Sequence, residues 1–244
     1  MLRVDSLLTQ CVGQPNSISG VLQPGQIGVV LGRNGAGKSW LLKTLAGLNP
    51  KQSGSASFED HPLSLDRRSA LVRGYLAQEE SRVFPMTCHQ YVLSARNPWL
   101  SWYADFGPAD REMADQAIAK LALSHKTDQS IQSLSGGEWQ RLRVAALYCQ
   151  QAKLWLMDEP CEHLDPGHIW DTLPQLIRQH CQQGGSVLMV AHDPDWAAQL
   201  ADQVLVLGDS EWSWDSAQEQ LTQETLSQLY AHPYRKVDGR WLAV

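Results

Sequence analysis

Long apolar runs are absent from this sequence of 244 residues. A helix that crosses a bilayer needs about 20 consecutive apolar residues, and no segment approaches that length. The first residues, Met1 to Asp5, alternate apolar and polar side chains instead of building the apolar core of a signal peptide. Any role at a membrane is therefore expected to depend on a partner.

Cysteine pairs with metal-binding or redox spacing are also missing. The sequence has no C-x-x-C motif, and its five cysteines are scattered: Cys11, Cys88, Cys149, Cys161 and Cys181. This pattern favours reduced cysteines over a disulfide framework or a metal site.

The basic excess that a nucleic-acid-binding domain usually carries is lacking as well. The formal net charge is −6, and the isoelectric point is near 5.7. This charge balance argues against an extended nucleic-acid-binding surface, but it does not exclude a small basic patch. The hydrophobic content of 43% and charged content of 19% are ordinary for a soluble globular chain. The length suits one domain, or one domain with a subdomain.

The most informative stretch that is present runs from Gly32 to Ser39. It matches the pattern G-x-x-x-x-G-K-[ST]. An apolar run, 27–31, precedes it and an apolar-periodic segment, 41–48, follows it. The motif therefore lies between a predicted strand and a predicted helix, which is the context of a phosphate-binding loop.

Each residue type in this loop suits a triphosphate. Gly32, Gly35 and Gly37 let backbone N–H groups point inward, where a side chain would block a phosphate. Lys38 would place a positive charge on the β- and γ-phosphates, and the Ser39 hydroxyl is placed for Mg²⁺. The helix N-terminus adds its own partial positive charge. We therefore predict that the chain binds a nucleoside triphosphate.

Hydrophobic periodicity predicts strands and helices along most of the chain. The predicted strands are 2–8, 17–22, 27–31, 53–58, 71–77, 154–159, 186–191, 204–207 and a closing hairpin over 234–244. The predicted helices are 38–48, 90–95, 108–121, 136–150, one that ends near 183, and 221–230. The segment from 87 to 122 is therefore mainly helical.

A second informative stretch runs from Leu134 to Arg141. Ser135 and Glu138 form an S-x-x-E capping box at the start of the helix predicted over 136–150. Gly136 and Gly137 follow in the first turn, where each Gly costs about 1 kcal/mol relative to Ala. Uncovered N–H groups at a helix N-terminus suit an anion that approaches closely. An ordinary capped helix is the alternative interpretation.

Two predicted strand ends carry side chains that suit phosphate chemistry. Asp158 and Glu159 follow four apolar residues, and in phosphate-loop enzymes an Asp in this place holds Mg²⁺. Glu159 would then lie beside the γ-phosphate as the general base. His192 ends another apolar strand, and strand ends in such a sheet converge on the ligand. The alternatives are a solvated strand end for the acids and a structural role for the histidine.

The segment 97–103 is unusually aromatic for a loop. Core packing and a protein-docking surface explain it equally well, since aromatic side chains concentrate in both. If it docks a partner, the candidate anchors are Trp99, Trp102 and Tyr103.

Along essentially its whole length, the chain resembles the ATP-binding-cassette (ABC) ATPases. Their motifs occur here in the family's order: the phosphate loop 32–39, Gln78, the signature sequence 134–138, the pair Asp158-Glu159, the pair Leu164-Asp165, and His192. The signature sequence is specific to that family. The resemblance implies an α/β fold, namely a P-loop NTPase core with a mostly parallel sheet, a small antiparallel β part and an inserted α-helical subdomain.

The resemblance also implies ATP and Mg²⁺ as cofactors, ATP hydrolysis and a head-to-tail dimer with a second copy of the chain. The implied catalytic residues are Glu159, His192 and Gln78, and the implied metal ligands are Ser39, Gln78 and Asp158. The implied nucleotide-binding residues are Gly32, Arg33, Asn34, Gly35, Ala36, Gly37, Lys38, Ser39, Trp40, Ser135, Gly136, Gly137 and Asp165.

The same resemblance implies one ABC ATPase domain over 1–244. Its nucleotide-binding core would be 1–86 and 149–208, its helical subdomain 87–148, and its C-terminal helix and hairpin 209–244. The helical subdomain would dock on integral membrane permease subunits, which would place the chain peripherally at the cytoplasmic face of the inner membrane. No nucleic-acid partner is expected.

A narrower resemblance connects the chain to importer ATPases for vitamin B12 and iron chelates. The segment 97–101 is similar to the iron-siderophore members, 135–141 is similar to the B12 member, and the tail from 221 also resembles that group. The alternatives are the ATPase of a separate-chain exporter and a soluble ABC ATPase that acts on nucleic acid or the ribosome. The segment between Gln78 and Leu134 lacks the long coiled coils of DNA-repair members.

The sequence departs from the family pattern in three places. Cys11-Val12-Gly13 lies where an aromatic usually stacks on adenine, Trp40 replaces a small hydroxyl residue, and His163 replaces a small residue. No catalytic group is lost.

Overall fold

The computed structural model describes residues 1–9, 17–101, 103–162, 164, 167, 171–208 and 211–244. Strands in this part of the chain are β1 (Leu2–Thr9), β2 (Ser17–Leu22), β3 (Ile27–Gly32), β4 (Lys51–Phe58), β5 (His61–Pro62), β6 (Arg73–Leu76), β7 (Leu154–Asp158), β8 (Ser186–Val190), β9 (Gln203–Leu207), β10 (Trp212–Ser216), β11 (Tyr234–Val237) and β12 (Arg240–Ala243).

The α-helices in the same part are α1 (Lys38–Leu45), α2 (Arg67–Val72), α3 (Cys88–Ser94), α4 (Pro108–Lys120), α5 (Gly136–Gln150), α6 (Leu173–Gln182), α7 (Pro194–Leu200), α8 (Ala217–Gln220) and α9 (Gln223–Tyr230). Short 3₁₀ turns occupy Asn97–Trp99, Ser124–Lys126 and Ile131–Ser133. None of the helices in the described ranges is long and apolar enough to cross a membrane.

A six-stranded sheet organises the molecule, with strand order β10-β9-β3-β8-β7-β6. All neighbours in it are parallel except β10 and β9. The carboxyl ends of β3, β7 and β8 therefore lie at one edge of the sheet. Ligands of such sheets bind at this edge.

Two hydrophobic cores cover the two faces of this sheet, which explains the continuous apolar runs of its strands. In β3, Val29 and Leu31 belong to one core and Val30 to the other. The first core includes buried residues of α3, α4 and α5, which pack on one another. The second lies against α1 and the antiparallel sheet β2-β1-β4-β5. The predicted α/β fold, with its parallel core, antiparallel part and helical insertion, is confirmed.

Most predicted elements are present with small shifts at their ends. Helix α5, which follows the signature sequence, begins and ends as predicted, and its residues Leu142, Ala145 and Ala146 are buried. The strand predicted over 71–77 is wrong in its first part, because α2 continues to Val72. Asp66 caps that helix by accepting a hydrogen bond from the Ser69 N–H. The sequence analysis also missed α7 and β10. The division into core and subdomain stays a prediction.

Candidate functional site

The glycine-rich loop joins the end of β3 to the start of α1. Gly35 and Gly37 have φ values of 82° and 90°, a left-handed conformation that glycine adopts without strain. A side chain on Gly32 would come within 3.1 Å of the Leu207 carbonyl oxygen. Gly37 occupies the N-cap position of α1, and no side chain there caps the helix. The loop therefore presents backbone N–H groups at a helix N-terminus, as an anion site requires.

Lys38 lies in the first turn of α1 and is only 5% exposed. Its Nζ donates to the carbonyl oxygens of Gly32 and Arg33, at 2.8 Å and 3.0 Å. Burial lowers the pKa of Lys38, while the nearby carboxylates of Glu159 and Asp158 oppose that shift. An ammonium group has three donors, so two hold the loop together and one remains for an incoming oxygen ligand.

Ser39 and Asp158 bring two oxygen ligands together at the end of β7. Ser39 Oγ donates to Asp158 Oδ1 at 3.1 Å, and Tyr75 Oη lies 3.5 Å from Asp158 Oδ2. Asp158 is fully buried, and this burial raises the pKa of its carboxyl group although the Ser39 hydrogen bond opposes the shift. A hydroxyl and a carboxylate beside a phosphate loop form the donor set that Mg²⁺ prefers.

Glu159 is the meeting point of three segments that are distant in sequence. Gln78, which follows β6, donates from Nε2 to Glu159 Oε2 at 2.9 Å. His192, which follows β8, lies with Nε2 2.6 Å from Glu159 Oε1. The Glu159 backbone has φ of 51°, a left-handed conformation that is uncommon for a residue with a side chain. The predicted catalytic side chains Gln78 and His192 therefore both contact the third, Glu159.

A cavity of about 870 Å³ opens over these groups. Its lining combines one buried ammonium group with carboxylates, two amides and an imidazole, a mixture that suits a polyphosphate and its attacking water. The lining residues in the described part are Asn34, Gly35, Gly37, Lys38, Ser39, Trp40, Gln78, Glu159, Pro160, Cys161, Glu162, Val190, Ala191, His192, Asp193 and Trp196.

The signature residues lie elsewhere. Ser135 and Gly136 are exposed, and neither they nor Gly137 are among the described residues that line the cavity. The predicted capping box is confirmed: Ser135 Oγ accepts from the Glu138 N–H, and the Ser135 N–H donates to Glu138 Oε2. Lys126 Nζ lies 2.9 Å from Glu138 Oε1, and these contacts lower the pKa of Glu138 to about 2, with the Lys126 contact contributing most.

Two residues of the signature helix contact the catalytic segments, and the sequence analysis missed both. Arg143 is buried; its guanidinium donates to the carbonyl oxygens of Ala77 and Gln78 and contacts Glu80 Oε2 at 3.3 Å. Gln140 Nε2 donates to the Pro160 carbonyl at 3.0 Å. The sequence offered one signal for Arg143: it follows Leu142 within an apolar part of the predicted helix, and a buried charge needs hydrogen-bonding partners.

Several sequence predictions lie outside the described residues: Asp165, His163, Trp102 and Cys11-Val12-Gly13. Within the aromatic segment, Trp99 is half-exposed and donates from Nε1 to the Gln150 carbonyl at 2.7 Å, whereas Tyr103 is almost fully exposed. Trp40 is 38% exposed and faces the cavity. The aromatic segment is therefore neither wholly core nor wholly surface.

Comparison with known proteins gives consistent results. The family model described as ABC transporter matches residues 15–162. An ABC transporter ATP-binding protein of Haemophilus influenzae is 35% identical over 86% of this chain and 80% of the relative. The vitamin B12 import ATP-binding protein of Vibrio cholerae is 36% identical over 98% of this chain and 96% of the relative. A hemin import ATP-binding protein of Nocardia farcinica is 33% identical over 88% and 74%.

Solved structures share the fold. An ABC transporter of proposed metal-chelate type, in an inward-facing conformation, has a TM-score of 0.85 and 25% identity over 100% of this chain and 97% of its own. A dimeric ATP-binding cassette bound to ADP and inorganic phosphate has a TM-score of 0.74 and 19% identity over 89% of this chain and 99% of its own.

Proposed function

The chain belongs to the ABC transporter ATPases, the ATP-hydrolysing subunits that power transport across membranes, and from that premise we propose that it drives import of a metal chelate of the vitamin B12, hemin or siderophore class. The observation that carries this proposal is the end-to-end match with a vitamin B12 import protein, which includes the C-terminal segment. Relatives with hemin and siderophore import names match over 76–97% of the chain.

We infer that the triphosphate lies on the loop 32–39, with the α1 N-terminus and Lys38 facing its phosphates. Support comes from the left-handed glycines, the uncapped helix N-terminus and the buried ammonium group. In this proposal Arg33, Asn34 and Trp40 would contribute backbone N–H groups, whereas the Ala36 N–H donates to the Arg33 carbonyl at 3.1 Å and closes the turn of the loop. The buried charge is less screened than a surface charge, so it should contribute strongly to phosphate affinity.

We propose Ser39, Asp158 and Gln78 as the residues that hold Mg²⁺. The 3.1 Å contact between Ser39 Oγ and Asp158 Oδ1 supports this choice, since it places a hydroxyl and a carboxylate at one point beside the loop. When bound, the ion would neutralise charge on the β- and γ-phosphates.

For hydrolysis we propose Glu159 as the general base and His192 as the side chain that holds the γ-phosphate and the attacking water. Gln78 would connect this pair to the end of β6 through its hydrogen bond to Glu159. Their mutual contacts at 2.9 Å and 2.6 Å support this assignment. A carboxylate already held by an amide and an imidazole has a fixed orientation, which favours proton abstraction from one position only.

We propose that a second copy of the chain completes the site with Ser135, Gly136, Gly137 and Asp165. The exposure of the signature residues and their position outside the cavity lining support this arrangement. Membrane permease subunits would hold the two copies at the cytoplasmic face of the inner membrane. The exposed apolar side chains Val83, Phe84 and Tyr103 are candidates for that contact.

The importer proposal is tested by co-expression with candidate permease subunits, purification of the complex and reconstitution in vesicles. ATP-driven uptake of cyanocobalamin, hemin and a ferric siderophore is measured side by side. We expect uptake of one of the three and no uptake with a Glu159→Gln chain. ATP-driven efflux would overturn the proposal. It would also be overturned if the chain binds none of the permease subunits and its ATPase activity depends on RNA.

A further inference from the structure

We propose that the C-terminal segment 223–243 positions His192, and that Tyr230 is the residue through which it does so. None of the described cavity-lining residues belongs to this segment, so its influence on hydrolysis would be indirect. The inference rests on the proposed role of His192 in the reaction.

The His192 side chain needs external support. It is 49% exposed, so packing alone does not immobilise it, yet its Nε2 must remain 2.6 Å from Glu159 Oε1. On its N-terminal side, the backbone is tied to β3 by the hydrogen bond from the Ala191 N–H to the Val30 carbonyl. On its C-terminal side lies the short helix α7, whose first turn is capped by Asp193.

Tyr230 contacts His192 directly. At the end of α9, its Oη donates to the His192 carbonyl oxygen at 3.3 Å. The Tyr230 ring lies 5.3 Å from the Tyr234 ring, which limits the positions the phenol can take. Helix α9 is itself fixed, because Leu226 and Leu229 are buried in the core that also contains Trp196 of α7.

The hairpin of β11 and β12 makes a second contact with the segment 191–195, which we call the histidine loop. In β12, the Trp241 N–H donates to the side-chain oxygen Oδ1 of Asp195 at 2.6 Å. The backbone N–H of Asp195 in turn donates to Asp193 Oδ1 at 2.8 Å, the hydrogen bond that caps α7. The C-terminal segment therefore holds the histidine loop at two points, at His192 itself and at the first turn of α7. A displacement of about 1 Å at a catalytic group is enough to slow a reaction substantially.

The test compares Tyr230→Phe with a matched control, Tyr234→Phe. Both remove one phenol hydroxyl from the segment, but the structure gives no hydrogen bond of the Tyr234 hydroxyl within the described residues. For Tyr230→Phe we expect kcat for ATP hydrolysis to fall about two- to tenfold, the range of one lost hydrogen bond. KM for ATP and the melting temperature should match those of Tyr234→Phe.

A double-mutant cycle separates this proposal from a general structural effect and from failure of the proposed site. In a His192→Ala background, Tyr230→Phe should have no further effect on kcat. If His192→Ala hydrolyses ATP at the wild-type rate, the proposed role of His192 fails. If His192→Ala is slow and Tyr230→Phe behaves like the control, or slows both backgrounds equally, the positioning role of Tyr230 is overturned.

Discussion

Two helix N-termini in this molecule carry glycines and are proposed to bind phosphate groups, but they are built in opposite ways. At α1 the cap position is Gly37, no side chain covers the first turn, and the adjacent Lys38 is buried. At α5 the cap is Ser135, whose hydroxyl and N–H already bond with Glu138, and both Ser135 and Gly136 are exposed.

The difference indicates that the two ends play unequal parts. The α1 end lies beside Asp158, Glu159, Gln78 and His192 of the same chain, so we propose that it can hold a triphosphate without a second copy. At the α5 end the Ser135 and Glu138 N–H groups already have partners, and Ser135 and Gly136 lie outside the cavity lining, so we propose that its ligand arrives with a second copy of the chain. Under this proposal, one chain contains one half-site of each kind.

The strongest way to challenge the first half of this comparison is Glu159→Gln. The amide keeps the shape of the side chain but cannot accept a proton, so we expect kcat for ATP hydrolysis to fall by about 10²–10⁴. MgATP binding should persist, and gel filtration with ATP should show a dimer. The surface variant Glu112→Gln serves as the control. Hydrolysis at the wild-type rate would remove Glu159 from the base role.

Lys38→Ala tests whether the α1 end binds the triphosphate through its charge. Losing a hydrogen bond to a charged group costs about 1.5–3 kcal/mol, so ATP affinity should fall about 10- to 150-fold. Fluorescence titration with a labelled ATP analogue measures this. Lys153→Ala, which removes an exposed ion pair with Glu59, is the control. Equal affinity in Lys38→Ala and wild type would contradict the phosphate-loop assignment.

The second half of the comparison predicts that the isolated chain is a poor ATPase that needs a second copy. In the dilute range, turnover per chain should rise with protein concentration by mass action. A total ATPase rate that is proportional to protein concentration over the whole range, and hence a constant turnover per chain, would contradict the shared site.

Mixing variants sharpens that prediction. Lys38→Ala and Ser135→Ala chains should each be inactive alone. In an equimolar mixture, head-to-tail pairing restores one intact site in each mixed dimer, so activity should recover to about a quarter of wild type. No recovery in a mixture in which an affinity tag on one variant co-purifies the other would exclude the head-to-tail arrangement.

The smallest expected effect concerns acid stability at the α5 end. The pKa of Glu138 is lowered from 4.5 to about 2, chiefly by Lys126. Its contribution to the free energy of unfolding is therefore complete above pH 4.5 and is lost as the pH falls toward 2. Because the pair is near the surface, the contribution should be below about 1 kcal/mol.

Glu138→Gln tests this contribution, because glutamine can keep the capping box without the charge. Thermal melts at pH 6 and pH 3 should show a melting-temperature difference from wild type that shrinks at the lower pH. A difference independent of pH would mean that the carboxylate charge contributes nothing to stability.

Local patterns made both helix ends predictable. The α5 start follows from Ser135 and Glu138, three positions apart, and the α1 start follows from the glycine and lysine spacing. The α2 start had the same kind of signal in Asp66 and Ser69, but the apolar residues that follow favoured a strand. A capping residue was therefore the better guide than a short apolar run.

Long-range contacts were not predictable from patterns. The family order placed Gln78, Glu159 and His192 in one site, yet their mutual hydrogen bonds depend on how β6, β7 and β8 lie side by side. The contacts of Arg143 with Ala77 and Gln78 depend on the packing of α5 against the sheet, which no local spacing encodes. Sequence identified which residue types mattered, and tertiary packing decided their partners.

The left-handed backbone at Glu159 has a thermodynamic consequence. A non-glycine residue in that conformation costs about 1 kcal/mol of folding free energy. The carboxylate that contacts Gln78 and His192 is thus held on a backbone that would relax if the chain could move. If Glu159 is the general base, as proposed, the protein trades stability for activity at this point, and the surrounding strands must supply the free energy that keeps the residue in position.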